Sequence, residues 1–323
     1  MILAERRPIS AVIADPTTTP AERTSLALVL GARSFAGDSL RLRAKKSFTT
    51  YTRINRDTLV LVLSAAYRDR LVDYGWWFPI VGWVPYKGFF DFAAARRAAA
   101  ELRGAGLDAY LRPSPAFSTL GWFDDPVLST SLGDDSVGLA NTVIHELTHN
   151  TYYAPGQAIF NESFANFVGS RGAAAFFRAR GSAGAAAEAD ARWADDTTLG
   201  RFWTGVYHTL DSAFRAHPTD RAARLAARDT IFVRTRAALV ADVGPRLHSY
   251  PVAYLARVRI DNAALLARRV YFTGLDQFDA VYARCDGDLR RSVATIIEIA
   301  RTDRADPYGG VRGWLGGNNR CRD

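Results

Sequence analysis

At 323 residues, with 48% apolar and 23% charged content, the chain is long for one simple domain, short for three, and large enough to bury a core without metal or disulfide staples. Its net charge of +8 invites a nucleic-acid partner, but lysine occurs only at Lys45, Lys46 and Lys87, and the arginines are interleaved with acids, as in DARWADD. Without a run of like charge or a reader motif, nucleic-acid binding is set aside; without 18 uninterrupted apolar residues, no membrane span is expected.

The start, MILAERRPIS, is charged within five residues and has no apolar h-region, so it does not read as a signal peptide. Either the protein is cytoplasmic or an export segment precedes this sequence. After Pro20, ERTSLALVLGARSFA carries apolar residues on one face and predicts a helix. DTLVLVLSA (57–65) reads as a buried strand, and GWWFPIVGWVPYKGFF (75–90) as short strands and turns. FAAARRAAAELRGAG (92–106) predicts a helix closed by glycine, and DAYLRPS with AFSTLG a strand followed by an extended edge. From about residue 134 the chain reads as mostly helical, with an Ala-rich, surface-like stretch at 172–192. The Gly-rich tail, 304–323, reads as irregular. Helices, then a small sheet, then many helices give an α+β chain rather than an alternating one. The expected division is 1–133, helices plus sheet, and 134–323, helical, acting as one integrated unit. Cys285 and Cys321 have no metal-ligand spacing, and whether they pair depends on the tail folding back.

The chemistry concentrates in TVIHELTHNTYYAPGQAIFNESFAN, residues 142–166. His145 and His149 are four apart, so on a helix they share a face one turn apart, as two ligands of one tetrahedral ion require. Glu146 lies about 100° round that helix, placed to reach a water without binding the metal. Val137, Leu139, Ala140, Val143, Ile144 and Leu147 give the helix a buried side, and Asp134 or Asp135 can cap it. A third histidine in the H-E-x-x-H-x-x-G-x-x-H arrangement is excluded, because Tyr152 and Pro155 occupy those positions. A Pro155-Gly156 turn followed by a second helix would instead return Glu162 as the third ligand to one Zn²⁺. Asn166, on the same face, can accept from the outer nitrogen of a ligand histidine. The alternative for Glu162 is an ordinary acid near a helix N-terminus.

H-E-x-x-H at 145–149 followed by N-E at 161–162 resembles the gluzincin metallopeptidases, although the gap to Glu162 is shorter than in thermolysin-like members. The aminopeptidase substrate motif G-x-M-E-N is absent. ERRPISAVIADP, FPIVGWVPYKGFFDFAAAR, PAFSTLGWFDDPVLST, the FNESFAN stretch and NAALLARRVY further resemble a bacterial family of zinc aminopeptidases inferred from sequence. The resemblance runs, with gaps, through most of the chain. It implies a zincin-like fold and a peptide substrate. It also implies a cell-envelope or periplasmic protein whose leader is not in this sequence.

On this reading Glu146 is the general base. Tyr271 and Tyr254 are the first candidates to stabilise the oxyanion, with Tyr250, His248 and His208 behind them. PAFSTLGWFDDP offers an extended edge, with Ser118 and Gly121, for substrate backbone. Asp124 or Asp125 would bind a free amine, or D-D-P is simply a turn. An endopeptidase and a non-catalytic zinc- or peptide-binding protein remain the other readings.

Overall fold

Among the described residues, seven helices begin at an aspartate or threonine whose side chain accepts from a first-turn N–H, so the sequence marks helix starts with the residues that satisfy orphaned donors there. The structure is a computed structural model and describes residues 6–54, 56, 58–78, 82–114, 126–133 and 135–321. In chain order the elements are β1 (Arg7–Pro8), α1 (Ile9–Ala14), α2 (Pro20–Asp38), β2 (Thr50–Thr52), β3 (Val60–Tyr67), β4 (Trp76–Phe78), β5 (Gly82–Val84), β6 (Tyr86–Phe89), α3 (Phe92–Gly104), β7 (Leu107–Ser114) and β8 (Val127–Leu128). There follow α4 (Ser136–Thr151), α5 (Ala158–Ala179), α6 (Ala183–Ala216), α7 (Arg221–Ala238), α8 (Val252–Leu255), α9 (Asn262–Phe272), α10 (Leu275–Arg284), α11 (Leu289–Thr302) and α12 (Pro307–Gly316). The fold is α+β with small sheets and a helical C-terminal half, as the sequence predicts. No helix among the described residues is long and apolar enough to cross a membrane.

The chain forms two compact units that interleave in sequence. Met1–Asp57, Ala116–Trp193 and Gly274–Asp323 make one; Thr58–Pro115 and Ala194–Thr273 make the other. In the first unit, β2 pairs antiparallel with β1 and parallel with β8. Its helical core is α4 packed between α2 and α5, with α10 and α11 against α5. Phe160, Phe164 and Phe167 recur at one face of α5 and meet Phe278 of α10, with Tyr308 of α12 closing the cluster.

In the second unit, β3 lies between β6 and β7, antiparallel to both. Successive strand residues face opposite ways. Leu63 and Ala109 accordingly pack with Ala99 of α3, and Ala66 and Tyr110 with Ala263 and Leu266 of α9. Leu199, Trp203, Val206, Leu210 and Phe214 of α6 form a stripe that packs with Phe232 of α7 and Leu265 of α9. Buried Asp108 accepts from the Arg228 guanidinium and from the Asn262 backbone N–H at 2.9 Å, and the Asn262 amide donates to the Tyr67 carbonyl at 2.8 Å. That network ties β3 and β7 to α7 and α9.

Two expectations are corrected. The tail is not irregular: α12 is capped by Asp306 with Pro307 in its first turn, and Val311 is buried. Gly310 serves close packing, since a Cβ there would stand 2.9 Å from the Ile299 side chain. The Ala-rich stretch is not one surface helix: Ala173, Ala174, Phe176 and Phe177 end α5 inside the core, and a turn at Gly181 precedes α6. Cys285, fully buried at the end of α10, is disulfide-bonded to Cys321. The Arg284 guanidinium also holds the end of α12 by donating to the carbonyls of Trp314, Leu315 and Gly317.

The bridge closes a loop of 36 residues, for which the chain-entropy argument gives about 2–4 kcal/mol. Cys321→Ser is expected to lower the free energy of unfolding by about that amount in non-reducing urea melts. Equal midpoints for the two proteins would mean that the bridge contributes nothing to stability.

Candidate metal centre

Helix α4 starts where the Asp135 carboxylate accepts from the Gly138 N–H at 2.8 Å. Val137, Leu139, Ala140, Val143, Ile144 and Leu147, the apolar side read from sequence, are all buried. Burying that side fixes the rotation of the helix and turns His145 and His149 toward α5. Their Nε2 atoms stand 3.2 Å apart. From α5, Glu162 brings Oε2 to 3.3 Å from His145 Nε2 and Oε1 to 3.6 Å from His149 Nε2.

A tetrahedral ion with metal–ligand bonds of about 2.05 Å separates its donors by roughly 3.3 Å. The three observed spacings match that edge length, so His145, His149 and Glu162 form a set that can hold one metal ion. Among the described residues these three make the cluster, leaving room for a fourth, non-protein ligand. The His149 side chain is 3% exposed, and those of His145 and Glu162 are about 15% exposed, so the set lies below the surface yet keeps some access to solvent.

Charge keeps the donors together. Burial pushes the Glu162 carboxyl upward, but hydrogen bonds from His145 and His149 outweigh it and hold the group well below the usual carboxylate range. Burial opposes a charge on His149; the Glu162 carboxylate, and more weakly Glu146, outweigh it and raise the imidazole. Glu146, half-buried and next to His145 on α4, is therefore close enough for its field to be felt at the site.

The loop between the helices sets where α5 begins. Gly156 takes a left-handed φ of 76°, and Gln157 N–H donates to the Ala154 carbonyl at 3.1 Å. Asn161, 3% exposed, clamps this loop. Its amide oxygen accepts from Ala154 N–H and its amide nitrogen donates to the Ala154 carbonyl, both at 2.8 Å. The residue before the candidate ligand Glu162 is thus the lock that positions it.

The other determinant is Gly169. A Cβ there would meet Asn141 Oδ1 at 2.3 Å and His145 Cβ at 3.1 Å, so only glycine lets α5 lie this close to the histidine helix. At about 100° per residue, Glu162, Asn166 and Gly169 share one side of α5, and Phe160, Phe164 and Phe167 share the other. The aromatic side anchors the helix while the opposite side carries the ligand.

The sequence-derived set is distributed as follows. His145, Glu146, His149 and Glu162 come together. Asn166 is half-buried, one turn beyond Glu162. The buried Nδ1 of His149 has no hydrogen-bond partner among the described residues, so Asn166 does not accept from it. Ser118, Gly121, Asp124 and Asp125 lie outside the described residues. Tyr271 and Tyr254 belong to the second unit and line a cavity there, as does Tyr250. In the same unit His248 is held at buried Asp195, and His208 lies against Tyr207. Sequence reasoning passed over Asn161 as a clamp, Gly169 as a spacer, and Tyr153. The Tyr153 phenol is pushed upward by burial and by the field of Glu162. An asparagine directly before the candidate ligand and a glycine seven residues after it were the available signals.

Gly169→Ala is expected to weaken metal uptake measurably and to cost about 1–3 kcal/mol of stability through overpacking. Gly184→Ala, on α6 with nothing within 4 Å, should be neutral or mildly stabilising. Identical melting and metal titration for the two variants would dismiss the spacer role. Asn161→Ala should likewise lose about 1–3 kcal/mol, read by thermal melting, because it strands the Ala154 N–H and carbonyl in a buried loop.

No curated protein and no solved structure matches the chain. The family described as "Putative aminopeptidase" matches residues 1–307, which include α4, the clamped loop and α5. By that match over nearly its whole length, the chain belongs to this putative aminopeptidase family.

Proposed function

We propose that the protein is a zinc-dependent peptidase of the gluzincin type that removes N-terminal residues from peptides. The observation that carries this reading is the spacing of the three donor atoms, 3.2, 3.3 and 3.6 Å, at tetrahedral edge length with Glu146 on the same helix. Two imidazoles and a carboxylate are a donor set that suits catalytic zinc. Membership of an aminopeptidase family supports a peptide substrate and hydrolysis.

His145, His149 and Glu162 would hold the ion. When bound, it supplies Lewis acidity toward the scissile carbonyl and acidifies water toward neutral pH. Glu146 acts as the general base: it takes a proton from the attacking water and returns it to the leaving amine. Its position next to His145, off the ligand set itself, leaves its carboxylate free for that transfer. Burial of His149 and the clamp at Asn161 keep the donors fixed, so little reorganisation accompanies reaction.

The reading extends to location. The Cys285–Cys321 bridge favours an oxidising compartment, which supports export to the cell envelope or periplasm.

Glu146→Gln should bind zinc as the parent does, by metal analysis of the dialysed protein, and lose peptide hydrolysis by about two to four orders of magnitude. Hydrolysis that survives this substitution would remove Glu146 from the mechanism. Glu162→Ala should lose the ion, and undiminished zinc content would exclude it as a ligand. Peptides with free amino ends should be cleaved stepwise and N-acetylated ones left intact; internal cleavage of blocked peptides would instead identify an endopeptidase.

A further inference from the structure

The second unit contains a cavity of about 220 Å³ whose lining includes Trp203, Tyr254, Tyr271 and two arginines, Arg112 from β7 and Arg268 from α9. The Arg268 guanidinium lies 4.6 Å from the Trp203 ring centroid and 5.7 Å from that of Tyr110. Its Nη1 is buried with no hydrogen-bond partner, and no carboxylate pairs with it among the described residues. Burial depresses its pKa, and the charge of Asp261 does not offset that effect. Arg112 donates to the Tyr271 hydroxyl at 3.2 Å and has no acid partner there either.

Other arginines of this unit are treated differently. Arg228 is paired with Asp108 and Asp229. Arg224 pairs with Asp69 and donates to the carbonyls of His217 and Pro218. Arg236 saturates the carbonyls of Leu255, Ala256 and Val258. The acid nearest in sequence to Arg268, Asp261, is already engaged by Arg259 and by the first turn of α9. Asp261, which attracts it, and Arg236, which repels it, are the charged groups that act on Arg268, and the Tyr110 and Tyr254 phenols face it as well. A guanidinium nitrogen buried without a partner is costly to keep, and stacking on aromatic faces holds the group in one plane without neutralising it.

We propose that this cavity binds the α-carboxylate of an apolar residue, either the C-terminal residue of a peptide or a free amino acid. The guanidiniums of Arg268 and Arg112 take the carboxylate, and the aromatic wall of Trp203 and Tyr254 takes the side chain. Guanidinium and carboxylate match in a two-point, charge-assisted geometry that lysine would not reproduce. The site is separate from the zinc reading: binding here stands or falls whether or not the protein hydrolyses peptides.

The test is calorimetric titration of full-length Glu146→Gln protein, in which ligands survive. N-acetyl-phenylalanine should bind about tenfold or more tightly than N-acetyl-phenylalaninamide and than acetate. Arg268→Met and Arg112→Gln should each remove that preference. Arg268→Met should melt no lower than the parent, because replacing an unpaired buried cation by an apolar group of similar length is neutral or stabilising. Should Arg268→Met fail to fold, Arg112→Gln and the acid–amide comparison decide. Gly-Gly-Phe against free phenylalanine then identifies the source of the carboxylate, the tighter ligand being the natural class. Equal affinity for acid and amide, affinity for acetate matching that for the aromatic acid, or a preference unchanged in both variants would overturn the proposal. Persistence of the preference after chelation of metal keeps this result distinct from that of the hydrolytic reading.

Discussion

The close approach of α5 to α4 is the constraint on which the metal centre depends. Three donor atoms must come within about 3.2–3.6 Å of one another, and two of them ride on one helix while the third rides on its neighbour. Packing distances between helices normally run to about 8–10 Å, set by the side chains between them. Here Gly169 and Gly172 remove those side chains opposite His145 and Ile144: a Cβ at Gly172 would stand 2.9 Å from the Ile144 side chain. The phenylalanines on the far side of α5 press it inward, and the Asn161 clamp fixes its axial start. Translation, rotation and separation of the ligand helix are thus each set by a different residue.

Electrostatics then stabilises what packing arranges. A buried glutamate beside two histidines would be unfavourable if all three were neutral-seeking. Because Glu162 stays ionised and its carboxylate raises the buried His149 imidazole, the set holds itself together before any ion arrives. A cation entering the site replaces protons rather than disrupting a packed core. Pre-organisation of this kind is consistent with the proposed catalytic ion, which would enter a site already formed. The chain's size makes the same point, for its core does not need a staple.

Much of the centre was legible because it obeys local periodicities. The histidines at i and i+4, the apolar positions from Val137 to Leu147 and the capping Asp135 all follow from helix geometry, and all appear as read. Glu162 required one step more, a turn at Pro155-Gly156 and a returning helix. What sequence did not reveal are contacts that depend on partners far along the chain. The Gly-rich tail read as irregular, yet its Gly310 is a packing site on α11, because composition cannot distinguish a glycine chosen for freedom from one chosen for closeness. The pairing of Cys285 with Cys321 follows from α12 folding back, which no spacing rule encodes. The interleaving of the two units has no signature in local composition at all, since it records which segments share a core.

Buried charge separates the parts of this molecule that are complete from those that are addressed to a ligand. Asp108 and Arg228 neutralise one another and recruit Asn262, so that network belongs to the scaffold. Asp195 is saturated by the backbone N–H groups of His248 and Ser249 and belongs to it too. Glu162 differs: its partners are two imidazoles at metal-ligand spacing, a donor set that suits a metal ion. Arg268 differs further, with aromatic faces for neighbours and no acid. The proposed ligands follow from that contrast: a cation at Glu162 and an anion at Arg268.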